Sequence, residues 1–255
     1  MRTFLVTGLI TVAFVPSATA DATRPAVPLV IDDRGGIFVQ VRVNGGGPFT
    51  FILDTGASRS IVSDDLAREL GAPVVAKSEV VTSAGSDVRL VVRLASVALS
   101  AAQVDALLAP VLPAANLAQL GRGVRGLLGQ DFLSAFNYTL DYRRSRLTWD
   151  EPLACNGAGA VRLVAAEGRF VAAVEGDAGA QLRLVPDSGA EVAVLFRQTA
   201  PVPSLSRVRV GSATLRGLRP IVVDRDDENA DGLLPLHGFG SVSFAARGGC
   251  LVARK

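Results

Sequence analysis

Apolar residues recur along this chain in short runs punctuated by Gly, Pro, Asn and Asp, and within many runs the period is two. Val39, Val41 and Val43 alternate with Gln40 and Arg42, the pattern of a strand with one buried face. Asn44-Gly45-Gly46-Gly47-Pro48 then reads as a turn, and Phe49 to Leu53 as the next strand. Val80 to Val88 predicts a hairpin whose tip is Ser83-Ala84-Gly85, and Leu90 to Leu99 a further strand. Val104 to Leu112 fits strand or helix on pattern alone and is read as strand. Tyr138 to Tyr142 and Arg146 to Trp149, joined by Arg143-Arg144-Ser145, read as a closing hairpin. Helical signals are few. Ser63 is a good N-cap for Asp64 to Leu70, and Gly71 suits its end. Gln130 to Phe136 predicts a second short helix, and Asn116 to Arg125 a loop. The pattern as a whole predicts an all-β chain with a few short helices.

The second half replays the first. Glu151 to Gly159 is rich in turn residues and is the expected boundary between lobes at 21–150 and 151–255. Beyond it, Val164 to Phe170 echoes Val30 to Phe38. Phe170 to Val174, the turn at Gly176 to Gly179, and Gln181 to Val185 echo the strands that lead to Asp54. Val210 to Leu215 echoes Leu94 to Leu99, and Gly232-Leu233-Leu234-Pro235 echoes Gly126-Leu127-Leu128-Gly129. Ser243-Phe244 and Leu251-Val252, across Gly248-Gly249, echo the closing hairpin. The second copy is shorter where the first holds the hairpin tipped by Ser83 to Gly85. Two lobes related by a pseudo-two-fold axis, with a cleft between them and this hairpin in the first lobe alone, are therefore expected.

At 255 residues and 49% hydrophobic, the chain can bury a sizeable core. Its 26 basic and 24 acidic residues are scattered, which argues against nucleic-acid or membrane-surface partners. Arg2, the apolar run Thr3 to Val15 and Ala18-Thr19-Ala20 fit an export signal over residues 1–20. The apolar run is short for a membrane span, no other segment is long enough, and no Cys follows the cleavage point. A periplasmic or secreted protein is expected; an N-terminal anchor helix is the alternative. In that setting Cys155 and Cys250 are expected to form a disulfide tying the two ends of the second half, with two buried thiols as the alternative.

The chemistry-bearing residues stand at corresponding points of the two halves. Phe51-Ile52-Leu53-Asp54-Thr55-Gly56-Ala57-Ser58 brings a carboxylate to the end of a buried strand, where loss of water is costly without a purpose. Gly56 lets backbone pass close to that acid, and Thr55 offers a hydroxyl. Val185-Pro186-Asp187-Ser188-Gly189-Ala190 repeats the arrangement. His237 is the only histidine, which argues against a Ser-His-Asp site and against His-rich metal sites. It is read as a loop or partly buried residue. Asp224 to Asn229 is acidic but lacks the spacing of a calcium loop and is read as solvated.

The Leu53 to Ser58 run, followed by Gly126-Leu127-Leu128-Gly129-Gln130-Asp131-Phe132-Leu133, resembles the retropepsin-like aspartic protease family, here duplicated within one chain. The resemblance implies a peptidase for peptide or protein substrates that uses no cofactor and no metal. It gives Asp54 and Asp187 the catalytic roles as one proton-sharing pair that activates a water. It makes Thr55, Gly56, Ser188 and Gly189 supports of the paired loops, and Leu127, Leu128 and Gly129 their brace. Ser83, Ala84 and Gly85 become the tip of a flap. Two acids in one chain imply a monomer. The second half departs from the pattern at Pro186, which lacks the N–H of a ladder residue, and at Pro235, which replaces the counterpart of Gly129. A peptide-binding protein of the same fold without catalysis is the alternative function.

Overall fold

The computed structural model describes residues 24–82, 85–150, 153–157, 159–197, 205–225 and 227–255. It is built almost wholly of strands, with helices only at Asp64–Glu69, Ala114–Ala118 and Gln130–Leu133 and one 3-10 turn at Asp177–Gly179. An eight-stranded sheet belongs to the first half. It runs from Val30–Ile31 through Ile37–Val43, Gly46–Leu53, Val124–Leu128, Ile61–Ser63, Ala102–Leu112 and Gly85–Leu99 to Val74–Thr82. Ile37, Val39, Val41 and Val43 are buried while Gln40 and Arg42 are exposed, so the period of two has one face on the core.

The acid-bearing strand of each half lies in the same pattern of pairings. Phe51, Ile52 and Leu53 run parallel to Gly126, Leu127 and Leu128. Leu184 to Asp187 run parallel to Gly232 to Pro235. Ile61–Ser63 pairs antiparallel with Val124–Leu128, as Val194–Phe196 does with Gly232–Pro235. Each of those outer strands then takes a parallel neighbour, Ala102–Leu112 in the first half and Ile221–Val223 in the second. Arg42 pairs with Ala98 as Glu175 pairs with Arg209, so a hairpin also docks at the same place in both halves. Beyond Ile221–Val223 the second sheet stops, whereas the first continues into two more strands.

The second sheet also carries the strands that join the halves. Val27–Pro28, Arg146–Trp149 and Tyr138–Asp141 come from the first half. Ser241–Ala245, Cys250–Arg254 and Ala160–Ala166 come from the second, and the seam is Tyr138↔Phe244 to Asp141↔Ser241. Five aromatic side chains gather there. Tyr138 stacks on Phe244 with ring centroids 4.7 Å apart, and Phe132, Phe136 and Trp149 meet edge to face or tilted. Cys155 and Cys250 are bridged, tying the segment at the start of the second half to its last strand.

Several expectations need correction. The segment Asn116 to Arg125 is not all loop. Pro113 starts the helix Ala114–Ala118, where alanines favour helix and proline presets the entry. The hairpin is longer than Val80 to Val88, because Val74–Thr82 and Gly85–Leu99 pair along most of their length. Its tip residues Ser83 and Ala84, and the signal segment 1–20, lie outside the described residues; Gly85 opens the second strand. The helix after Gly129 ends at Leu133, short of Phe136. The acidic loop is not solvated throughout: Asp227 is buried and bonded to the buried guanidinium of Arg169 at 2.9 Å. There the desolvation of each charge is offset by its partner and by the N–H groups of Asn229 and Ala230. Among the described residues, no helix is long and apolar enough to cross a membrane.

Candidate active site

Asp54 ends the strand Gly46–Leu53, and its N–H donates to the Leu128 carbonyl at 3.0 Å. Ile52 and Leu53 are buried, so the strand holds the acid by its apolar residues. Gly56 N–H and Ala57 N–H both donate to Asp54 Oδ1, at 2.9 and 3.0 Å. Asp187 is buried at the end of its own strand, and Gly189 N–H donates to its Oδ1 at 2.7 Å. Each acid thus lies in a turn whose backbone donors favour its ionised form.

The two turns meet. A Cβ on Gly56 would stand 2.4 Å from the Asp187 carboxyl carbon, and one on Gly189 would stand 2.9 Å from that of Asp54. Each glycine therefore makes room for the other half's acid. The carboxyls are hydrogen-bonded to each other. Burial raises the pKa of both, and the charge of Asp54 pushes Asp187 well above the ordinary carboxylate range. One proton held between two carboxyls is the state this environment favours.

Behind the acids the loops are interlocked by two buried hydroxyls. Thr55 N–H donates to Ser188 Oγ at 3.0 Å, and Ser188 N–H donates to Thr55 Oγ1 at 2.9 Å. Thr55 Oγ1 donates to the Pro186 carbonyl and Ser188 Oγ to the Leu53 carbonyl, both at 2.8 Å. The arrangement is reciprocal, and it uses only the carbonyl of the residue before each acid. Pro186 has no N–H but keeps its carbonyl, so the departure noted in the sequence leaves the interlock whole. Thr55→Val keeps shape but strands the Ser188 N–H and the Pro186 carbonyl. Two buried groups without partners should cost about 2–6 kcal/mol of stability in chemical denaturation. A loss below about 1 kcal/mol would contradict the interlock as described.

The brace is closer in the first half than in the second. Leu127 and Leu128 are buried beside the Asp54 strand. A Cβ on Gly129 would come within 2.7 Å of the Arg59 carbonyl carbon and oxygen, so the loop crosses directly over that glycine. Three residues given no role in the sequence reading complete this brace. Asp131 Oδ1 accepts from Ser60 N–H at 2.8 Å and Ser60 Oγ at 2.6 Å, and Gly129 N–H donates to Ser60 Oγ at 3.0 Å. Gln130 Nε2 donates to the Thr55 carbonyl at 2.9 Å. At corresponding points the second half has Ala193 for Ser60 and His237 for Asp131, so that polar clamp is absent there. Pro235 lies buried opposite Asp187, and the parallel register through Asp187 is unbroken. His237 is exposed, but its ring lies against the positive-φ Gly35 of the other half, and partial desolvation there lowers its pKa. Among the described residues no cluster of His, Cys, Asp or Glu is arranged to hold a metal ion.

Residues 39–132, which include Asp54, the Gly-Leu-Leu-Gly run and most of the brace, match the family model described as aspartyl protease. That stretch, less than half of the chain, is similar to the aspartyl protease family. Among solved structures, the chain is similar to a retropepsin-like aspartic protease from Rickettsia conorii. The identity is 19% and the TM-score 0.37, over 50% of this chain and 93% of that one. No curated protein sequence matches the chain.

Proposed function

We propose that this protein is an exported aspartic endopeptidase that works as a monomer, with Asp54 and Asp187 as its acid–base pair. The observation that carries the reading is the meeting of the two carboxyls, each fitted into the glycine turn of the other half. Asp54 accepts two backbone N–H bonds and is raised less than Asp187, so it is the better placed to be ionised. Asp187 carries the larger upward pressure and holds the proton. Asp54 then takes a proton from a water lying between the acids as that water attacks the peptide carbonyl carbon. Asp187 gives its proton to the carbonyl oxygen, producing a tetrahedral gem-diol. Return of protons through the same pair releases amine and carboxylic acid, and no covalent bond to the enzyme forms. The bridged cysteines suit an oxidising compartment. The lobes at 21–150 and 151–255 each bring one acid, and the hairpin around 83–85 is the element that closes on substrate.

The test is cleavage of an unfolded, fluorescently labelled protein from acid to neutral pH. Asp54→Asn and Asp187→Asn should each lower the rate by about 10³-fold or more, since each removes half of the pair. Mixing the two variants should restore nothing, because each chain keeps a broken site. Near wild-type cleavage by a folded Asp187→Asn protein, with specific activity falling on dilution, would instead place two copies of Asp54 together in a dimer. No cleavage by the wild-type chain at any pH would leave a peptide-binding protein.

A further inference from the structure

Nine residues, Val74–Thr82, form the last strand of the first-half sheet, and among the described residues nothing pairs with their outer edge. The strands at the other three sheet ends, Val27–Pro28, Val30–Ile31 and Ile221–Val223, are two or three residues long. Shortness of that kind keeps an edge from recruiting another chain. The long edge also stands clear of the sheet. Ala102–Leu112 supports Gly85–Leu99 only from Val91 onward, so from Lys77 to Leu90 the hairpin is two strands alone. Lys77, Glu79, Val88 and Leu90 are exposed, and Ser78, Val80 and Arg89 are half-buried. A two-stranded ribbon of this kind is marginal by itself and gains from further strands.

The side chains on the edge select the strand that fits it. Lys77 and Glu79 lie on one face, opposite Leu90 and Val88 of the neighbouring strand. Glu79 accepts from the Ser86 hydroxyl, and Lys77 makes no ion pair among the described residues. Charges on an edge usually discourage pairing. Here they are opposite in sign and stand symmetrically about Ser78. Laid antiparallel on a copy of itself about Ser78, the strand sets each Lys77 opposite a Glu79 and each Ala76 opposite a Val80. Opposite charges directly across a strand pair attract. A slip of one residue loses both ion pairs, and a slip of two sets like charges face to face, so the register is fixed. The hairpin's other open edge, Gly85 to Leu90, offers no such match, because Asp87 and Arg89 are already paired with each other at 2.7 Å.

We propose that the Val74–Thr82 edge pairs antiparallel with the same edge of a second copy, about a two-fold axis at Ser78, as a resting form of the protein. Each chain keeps both of its acids, so the contact adds nothing to either site. A hairpin held in a shared sheet is not free to close on substrate, and the single chain remains the working species. That consequence, unlike the contact, rests on reading the hairpin as the element that closes.

The experiment is sedimentation velocity on the exported chain over a range of concentrations, with cleavage measured in parallel. The wild type should pass from one chain to two as concentration rises. Lys77→Glu and Glu79→Lys each set like charges opposite each other and should weaken association about tenfold. Mixing the two variants should restore it, because an acidic edge then meets a basic one. The double exchange, Lys77→Glu with Glu79→Lys, should restore it within one kind of chain. Wild-type specific activity should rise on dilution, and that of either single variant should stay level. A wild type that stays single at every concentration overturns the proposal, as does association that neither single exchange weakens; both results leave the acid pair standing. Association with the expected charge pattern, but with specific activity constant on dilution, keeps the contact and overturns the resting form.

Discussion

Asp187→Asn is expected to remove cleavage and, in the same protein, to raise the melting temperature at neutral pH. The reasoning starts from the unfolded chain, where Asp187 loses its proton near the ordinary value of about 3.9. In the folded protein burial and the Asp54 charge raise that pKa well above it. Between the two values the native state binds more protons than the unfolded state, so native stability falls as pH rises through this window. Above the raised value the whole penalty is present. Asn takes no charge and incurs none of it. The variant should match the wild type only well below the ordinary value of about 3.9, where both carboxyls are protonated in either state, and gain on it as pH rises. In a chain of this length each kcal/mol gained appears as about 2–4 °C in melting temperature. A variant less stable than wild type at pH 7, yet equal to it in acid, would mean that the Asp187 charge is well paired rather than confined.

The second large effect is expected at Gly56. Gly56→Ala would put a methyl carbon 2.4 Å from the Asp187 carboxyl carbon, closer than any packed contact tolerates. The turn also carries two N–H bonds to Asp54, so backing away from the methyl loosens the acid it holds. Overpacking of this kind costs about 1–3 kcal/mol in stability. A displacement of about 1 Å at reacting groups costs about 100-fold in rate. Gly189→Ala should do less harm, because its methyl would meet the Asp54 carboxyl carbon at 2.9 Å. Comparing the two variants by kcat/KM and by thermal unfolding checks the order. Equal or reversed losses would mean that the two turns do not approach the acids as unequally as the distances state.

Much of this was legible in the residues. The period of two in Val39 to Val43, the turn at Asn44 to Pro48 and the strand into Asp54 all appear where the pattern puts them. The bonding of Cys155 to Cys250 could be read from their number. What escaped pattern reading was long-range and polar. Ser60 and Asp131 meet across 71 positions, and no local periodicity links a serine in a turn to an acid in a short helix. Arg169 and Asp227 were invisible for the same reason: a charge run reads as solvated until a distant guanidinium covers it. The helix at Ala114 was misjudged because five residues are too few for periodicity to register, although Pro113 and the alanines after it gave a local signal. Pro186 looked like a defect because a ladder residue is judged by its N–H; the loop interlock asks only for its carbonyl.

The unequal ends of the two sheets give the molecule a polarity that a symmetric pair of subunits would lack. On one side the sheet runs on through Gly85–Leu99 and Val74–Thr82; on the other it ends at Ile221–Val223. A chain laid across the acids in one direction is not equivalent to the same chain reversed. If the acids cleave as proposed, which residue of a cleavable bond faces which acid is decided by the protein, before any side chain is recognised.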